Sequence, residues 1–574
     1  MSYIPKTVIT SFINKNVAKN PEQVQAVEQI VGGTSYPSPY LVFGPPGTGK
    51  TATIVEAVCQ LIERGNNILI CTPSNAAADE VTRRLLNCGI SPDLIYRMTS
   101  KSVEREDIPE DVKDCINLKN GKIEYLHSDD MQHKKVIIST LISAARFLRL
   151  QHFTHFFNYI FIDEAGQATQ PETFIPFAIS MRHIRCKIVM SGDPKQLGPV
   201  VMTKYGSHLL GISMLEHLME KSYLYKKDYS NKYDPNFLTK LVQNYRSHET
   251  ILRLPNQMYY DSELVACAGD KVKIAENWNH LPKKGFPIIF HPAYGHEENN
   301  ESHSVANKVE AEIVMNYVEK LLDEGLEGMQ ISEENIGIVT PFRYQKSIIM
   351  EKLENKELSK ISVGTVESFQ GQERDIIIVS LVRSAIFKNG KKPHIGFLSD
   401  DKRFNVTITR AKCLLIVIGH PRALQIADCW RNFINYCKNN KAYYKDESAN
   451  HQNIKNRNRR GRKRDQNKDK SDNNQNIENR RSRTVVNKEE TDNNKYKDLS
   501  TGINYPADST ENEIKSFEVP MSEGNLSLDN HAEPVAAIST VAEAAQPEEP
   551  NEPLSGSGNK LFIRFLKFFR CQKR

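Results

Sequence analysis

The stretch Gly44-Pro45-Pro46-Gly47-Thr48-Gly49-Lys50-Thr51 sets a lysine and a hydroxyl directly behind a glycine-rich turn. It fits G-x-x-x-x-G-K-[ST] at every fixed position. Such a pattern serves triphosphate binding. Glycines let the backbone curl until several N–H groups point inward, and a helix start behind them adds about half a positive charge. Lys50 then reaches the β- and γ-phosphates, and the Thr51 hydroxyl holds Mg²⁺. Asp163-Glu164 supplies the complementary chemistry: one carboxylate for Mg²⁺, the next to orient or deprotonate an attacking water. Gln196 is a candidate sensor of the γ-phosphate. Arg246 and Arg410 are candidates for the arginine that phosphoryl transfer gains from across a cleft, a gain of roughly 10³–10⁵-fold.

These residues sit where strands end. The apolar run 41–43 before the glycines reads as a buried strand, and Ile54, Val55, Val58, Leu61 and Ile62 behind them share one helix face. Further apolar runs at 68–71, 136–140, 159–162 and 187–190 read as strands, with helical stretches between them. Asp163 and Glu164 follow one of these runs directly, and Gln196 lies just beyond another. That alternation predicts a doubly wound parallel α/β sheet with its site at the carboxyl edge. Thr72, Ser74 and Asn75 follow the strand at 68–71. They read as a phosphate-contacting turn or as ordinary helix caps, and alone the cap reading is preferred. A second α/β round spans candidate strands 287–290, 336–339, 361–363, 376–381 and 414–418, without a second phosphate loop.

The expected organisation is a lead-in at 1–19, a first domain at 20–230 with an insertion at about 88–134, and a second domain at 231–440. The polar stretch 221–236 is the expected linker. A charged, disordered tail is expected at 441–559, because large apolar residues thin out and periodicity vanishes. Within it, the basic run 457–464 binds RNA backbone, directs nuclear import or is a solvated charge run. At 560–574, Lys560, Arg564, Lys567 and Cys571 follow helical spacing, which predicts a basic amphipathic helix. A weak membrane-surface contact, a partner-binding helix and an incidental end are its open readings. The net charge of +6 over 574 residues is too small to indicate nucleic acid by itself, so placement matters more. Ten cysteines without a C-x-x-C pair argue for reduced thiols and against zinc, and no secretory signal or spanning run occurs.

An ordered set of motifs over residues 20 to about 437 resembles the superfamily 1 helicases of the up-frameshift-like branch. Asn20-Pro21-Glu22-Gln23 resembles the family's Q motif. GPPGTGKT (44–51), CTPSNAAADE (71–80), IIST (137–140), DEAGQA (163–168) and GDPKQLGPV (192–200) match the first-domain motifs. LVQNYRSH (241–248), VTPFRYQ (339–345), VGTVESFQGQERD (363–375) and NVTITRAK (405–412) match the second-domain motifs. The DEAG form most resembles the Armitage-type RNA helicases of RNA silencing.

The resemblance implies two tandem RecA-like domains binding ATP and Mg²⁺ between them. Gly44, Pro45, Pro46, Gly47, Thr48, Gly49, Lys50 and Thr51 would cradle the phosphates, with Thr51 and Asp163 at the metal and Glu164 as base. Gln23 would read the adenine edge, Tyr245 would stack on the base, and Glu373 would lie near the ribose. Gln196 would couple the γ-phosphate to motion, with Arg246 and Arg410 as arginine fingers. Single-stranded RNA would contact Thr72, Ser74, Asn75 and Thr140 on one domain and Pro341, Arg343 and Thr365 on the other, mostly through phosphate and sugar. The implied activity is ATP-driven RNA unwinding or translocation, 5′ to 3′, by a monomeric core in cytoplasmic silencing or RNA granules. A DNA helicase of the same branch (nuclear location being then favoured), an RNA-clamping scaffold and a plain ATPase are the rival readings. Relatives carry long N-terminal regions with a small clamping β-barrel. The chain begins about twenty residues before Gln23, so that barrel is not expected and ATP hydrolysis is the safer expectation than duplex separation.

Overall fold

The computed structural model describes residues 7–150, 156–183, 185–203, 206–384 and 395–444. The tail, the basic run at 457–464 and the helix expected at 560–574 lie outside the described residues. Two parallel sheets carry the fold. In chain order the strands of the first are β1 (Tyr40–Phe43), β2 (Ile68–Thr72), β3 (Ile95–Met98), β4 (Val136–Thr140), β5 (Tyr159–Ile162), β6 (Lys187–Gly192) and β7 (Leu238–Lys240). They lie in the order β3-β4-β2-β5-β6-β1-β7, every pairing parallel. The second sheet takes β8 (Ile288–Pro292), β9 (Ile336–Val339), β10 (Ser362–Gly364), β11 (Arg374–Ser380) and β12 (Ala411–Gly419), in the parallel order β8-β12-β11-β9-β10. These are the two RecA-like domains.

Unbroken apolar strands follow from burial on both faces. Leu41, Phe43, Leu69, Ile160 and Met190 pack into one core of the first sheet, while Tyr40, Val42, Ile68, Phe161 and Val189 alternate into the other. The second sheet divides likewise, Ile377, Val379 and Val417 against Ile376, Ile378 and Ile416. Helices cover both faces. Those that bear on the site are α1 (Pro21–Gly32), α2 (Lys50–Glu63), α3 (Asn75–Asn87), α4 (Met214–Lys221), α5 (Glu249–Tyr259), α6 (Lys308–Glu324), α7 (Arg343–Glu354) and α8 (Asp401–Ile408). Helix α1 starts as its sequence dictates, with the Asn20 side chain accepting from the Gln23 N–H and Pro21 in the first turn.

Three segments differ from expectation. Residues 95–98, inside the expected insertion, pair with β4 as the edge strand β3 of the first sheet, and Arg97 interrupts the apolar run that would have shown it. That guanidinium is buried and neutralised by Asp79 at 2.8 Å. The rest of the insertion carries a small core of Ile108, Val112, Ile116 and Ile123. Residues 238–240, past the expected boundary, pair with β1 and so extend the first sheet. At the other end the chain remains packed past 440, where Tyr444 N–H donates to the Phe290 carbonyl at 2.9 Å. Among the described residues no helix is long and apolar enough to cross a membrane.

Candidate functional site

Three neighbouring strands, β5, β6 and β1, end on one edge and deliver Asp163, Asp193 and the glycine loop side by side. Gly47 and Gly49 take φ values of +71° and +82°, which an L side chain rarely adopts, and the loop runs directly into α2 at Lys50. The Thr48 hydroxyl donates to the Pro45 carbonyl at 2.7 Å and braces the turn. Lys50 Nζ donates to the Gly44 carbonyl at 2.9 Å and lies 4.0 Å from Glu164 Oε1. Thr51 Oγ1 donates to Asp163 Oδ2 at 3.2 Å, while the Ser191 hydroxyl and the Glu164 N–H donate to Asp163 Oδ1. Burial, and then the neighbouring Glu164 charge, push the Asp163 carboxyl above its ordinary value. Glu164 itself holds φ +53° and accepts from Gln167 Nε2 at 3.0 Å. Among the described residues no group of three or more His, Cys, Asp or Glu side chains gathers for a metal. The hard oxygens of Thr51 and Asp163 suit Mg²⁺ of the kind whose shell is completed by water and phosphate.

The opposite wall comes from α8, the turn between α8 and β12, and the segment that runs from β7 into α5. Arg410, 1% exposed, donates from Nη2 to Gln196 Oε1 at 3.2 Å. Burial first, and the nearby Arg246 cation second, lower its pKa to about 9. Gln196 Nε2 donates to Asp193 Oδ2 at 2.8 Å, the same oxygen that accepts from the Tyr260 hydroxyl at 2.8 Å. Asn405 Nδ2 closes the chain, donating to the Tyr260 oxygen at 2.6 Å and to the Lys195 carbonyl at 2.9 Å. Arg246 lies against the glycine loop: a Cβ built on Gly47 would fall 2.5 Å from the Arg246 Cβ. Its guanidinium pairs with Glu373, whose other oxygen is 3.4 Å from Lys412 Nζ. Burial alone would raise the Glu373 carboxyl, but Arg246 and Lys412 outweigh it and hold the carboxyl below its ordinary value.

At the far end of the loop, Gln23 Nε2 donates to Thr53 Oγ1 at 3.0 Å and to the Gly49 carbonyl at 3.2 Å. Tyr245 hydroxyl accepts from Asn20 Nδ2 at 2.8 Å and donates to Gln243 Oε1 at 2.9 Å, and Tyr245 N–H donates to the Gly47 carbonyl. Gln23 and Tyr245 therefore meet at the loop, with the Gln23 amide nitrogen engaged by the protein itself.

The residues expected at nucleic acid divide between the two carboxyl edges. Thr72 and Thr140 are register partners on β2 and β4. Thr72 Oγ1 donates to the Ser74 carbonyl at 2.8 Å, and Ser74 and Thr140 cap the helices that follow them. Asn75 is exposed, and its Oδ1 accepts from Arg97 Nη2 at 3.0 Å. Pro341 and Thr365 follow the paired strands β9 and β10, and Arg343 opens α7 with its side chain exposed. Tyr260 and Arg97 escaped the sequence reading. Tyr260 resembles the apolar end of a helix, and a buried arginine in a strand has no periodic signal.

A family model described as an AAA domain matches residues 210–422, and a second AAA-domain model matches 18–122 and 100–204. The chain is 42% identical over 452 residues to mov-10-B.1 of Danio rerio, covering 75% of this chain and 44% of that protein. It is 39% identical over 452 residues to the RNA helicase Mov10l1 of Mus musculus, covering 77% and 37%. It is 32% identical over 468 residues to armi of Drosophila melanogaster, covering 75% and 39%. The chain thus spans less than half the length of each of these relatives.

Proposed function

We propose that this chain, which belongs to the superfamily 1 helicases of the up-frameshift-like branch and resembles the Armitage type, is an ATP-dependent RNA helicase or translocase. The observation that carries the reading is the contact of Arg410 with Gln196, which joins the second sheet to the strand ends beside the glycine loop. Lys50 neutralises the phosphates and Gly44 to Thr51 cradle them. Thr51 and Asp163 would hold Mg²⁺, which would supply positive charge beside the phosphates when bound. Glu164 takes a proton from the attacking water, with Gln167 fixing its carboxylate. Arg246 and Arg410 stabilise charge on the transferred phosphoryl group. Gln23, Tyr245 and Glu373 hold the base and ribose, for which Gln23 exchanges a loop partner.

Single-stranded RNA crosses the two carboxyl edges over Thr72, Ser74, Asn75 and Thr140, then Pro341, Arg343 and Thr365. Contacts to phosphate and sugar dominate, so sequence specificity is low. Closure on ATP and opening after hydrolysis alternate the two grips, moving the protein 5′ to 3′. The relative from Mus musculus is named an RNA helicase, which supports RNA over DNA. The setting we propose is small-RNA silencing in the cytoplasm.

The test is ATP hydrolysis with poly-ribonucleotide, poly-deoxyribonucleotide and no nucleic acid, with Lys50→Ala alongside. RNA should stimulate the wild type, and Lys50→Ala should lose at least about 100-fold in rate. A clear preference for DNA overturns the RNA assignment, and hydrolysis indifferent to both polymers overturns the helicase reading.

A further inference from the structure

We infer that Phe397 is a stacking platform for a base of single-stranded nucleic acid, an inference that rests on the function proposed above. Phe397 lies in the single turn Gly396–Ser399 ahead of α8. It is 40% exposed, whereas its ring neighbour Phe342 is 6% exposed. A lone exposed apolar residue is ordinary on any surface, so exposure alone decides nothing. Its surroundings are more particular. The Phe342 ring supports it at 5.1 Å between centroids, tilted by 44°. The Arg403 guanidinium lies 5.3 Å from the Phe397 centroid, and Arg383 lies 5.0 Å from that of Phe342. The four side chains thus form a chain of contacts in which the paired rings of Phe342 and Phe397 are flanked by Arg383 and Arg403.

Both cations are held. Arg383 Nη1 donates to Glu297 at 2.6 Å, and Arg403 Nε donates to Glu367 at 2.9 Å. A base-stacking groove in a sequence-tolerant binder combines these ingredients: an aromatic face for the base, with guanidiniums that add cation–π attraction. The position agrees. Phe342 stands between Pro341 and Arg343, and Glu367 lies two residues beyond Thr365, so the platform is continuous with the residues assigned to RNA on the second sheet. The ligand is a nucleobase of any identity, since every base has a π-face.

Equilibrium binding of the full chain to a single-stranded RNA oligonucleotide across a salt series tests this, with Phe397→Ala, Phe397→Leu and Phe397→Trp. Alanine should weaken binding by roughly 5- to 150-fold, the worth of one stacked base. The slope of log affinity against log salt should not change, because no phosphate contact is lost. Leucine keeps the apolar bulk for packing but lacks the π-face, so it should melt like the wild type and bind like alanine. Tryptophan should restore affinity, and its emission should quench on RNA. The two native tryptophans, Trp278 and Trp430, are buried and supply a constant background. If the wild type binds RNA and alanine or leucine binds within twofold of it, or tryptophan does not respond, the platform is refuted while the helicase reading stands. A wild type that binds no RNA refutes both.

Discussion

Tyr260 sits at the junction of the two sheets with its ring buried against Phe43 and its hydroxyl between Asp193 and Asn405. Asp193 is raised by burial, and the phenol is one of the few donors that hold its charge. Removing the hydroxyl leaves Asp193 Oδ2 with Gln196 alone and deprives Asn405 Nδ2 of its shorter bond. Tyr260→Phe should therefore lower stability by about 1–3 kcal/mol, the cost of unpaired buried polar groups. Its larger effect is on coupling, because Asn405 and Arg410 share α8 and its exit. We expect the ratio of RNA-stimulated to basal ATPase to fall about tenfold, on the order of the 1.4 kcal/mol typical of coupling between sites. Steady-state rates with and without RNA check it, and an unchanged ratio refutes the relay. At the same scale, Gly47→Ala should abolish hydrolysis. Its φ of +71° resists a side chain, and the new Cβ meets Arg246 Cβ at 2.5 Å and Asn244 Nδ2 at 2.8 Å. Steady-state ATPase rates check it, and a variant within about tenfold of the wild type would mean that the loop accommodates the side chain.

At the scale of elements, α6 carries a buried carboxylate into the carboxyl edge of the second sheet. Glu310 accepts from Ser380 Oγ and from the Val382 N–H, both at 2.8 Å. Val382 is β-branched yet holds φ +68°, and its carbonyl accepts from Asn307 Nδ2 at 3.2 Å, so the network over-determines a strained turn. Burial raises the Glu310 pKa from 4.5 to about 7 against these hydrogen bonds. The folded protein then binds more protons than the unfolded chain between those values. The contribution of Glu310 is full below about pH 4.5 and is lost as pH rises to about 7. The loss is on the order of 3 kcal/mol at 1.36 kcal/mol per pH unit. Glu310→Gln keeps an accepting oxygen and has no charge to bury. The difference in melting temperature, variant minus wild type, should therefore grow in favour of glutamine from pH 5 to pH 8, read by thermal melts. A difference that is flat in pH would mean that Glu310 ionises as readily folded as unfolded. Such elements were only partly legible. Helix α6 shows its period of apolar residues, but Glu310 looks like any surface acid until the strand end beside it is known. Strand β3 was hidden by Arg97, whose charge is tolerable there only because Asp79 comes to it from α3.

At the scale of the whole molecule, both sheets were readable because parallel strands buried on two faces are apolar throughout, and the chemistry was readable because it follows strand ends. The join between the sheets was not readable. Strand β7 is only Leu238–Lys240 and carries a threonine and a lysine, too short and too polar to signal that the first sheet continues past residue 230. How the sheets meet was equally hidden, since it depends on pairs far apart in sequence. One of these is Glu216 on α4 with Lys402 on α8, where the ammonium reaches both carboxylate oxygens at 2.7 and 2.8 Å. Both side chains are less than a third exposed, at 16% and 30%, so the pair is less screened than a surface bridge. It lies on the same helix as Asn405 and one residue from Asp401, which accepts from Tyr259 at 3.1 Å. Reversing one charge as in Lys402→Glu sets two carboxylates against each other across the seam. This should raise the KM for ATP and lower the RNA-stimulated rate by several-fold, with the defect shrinking as salt increases. Glu216→Lys should do the same. The exchange of both, Glu216→Lys with Lys402→Glu, should recover activity to within about threefold, corresponding to a coupling energy of about 1 kcal/mol. Recovery by the exchange would separate this contact from a loss of folding, because neither single variant's defect could then reside in its own helix. Two additive defects would instead mean that the seam is set without this pair, by contacts such as Arg410–Gln196 and Asn405–Lys195.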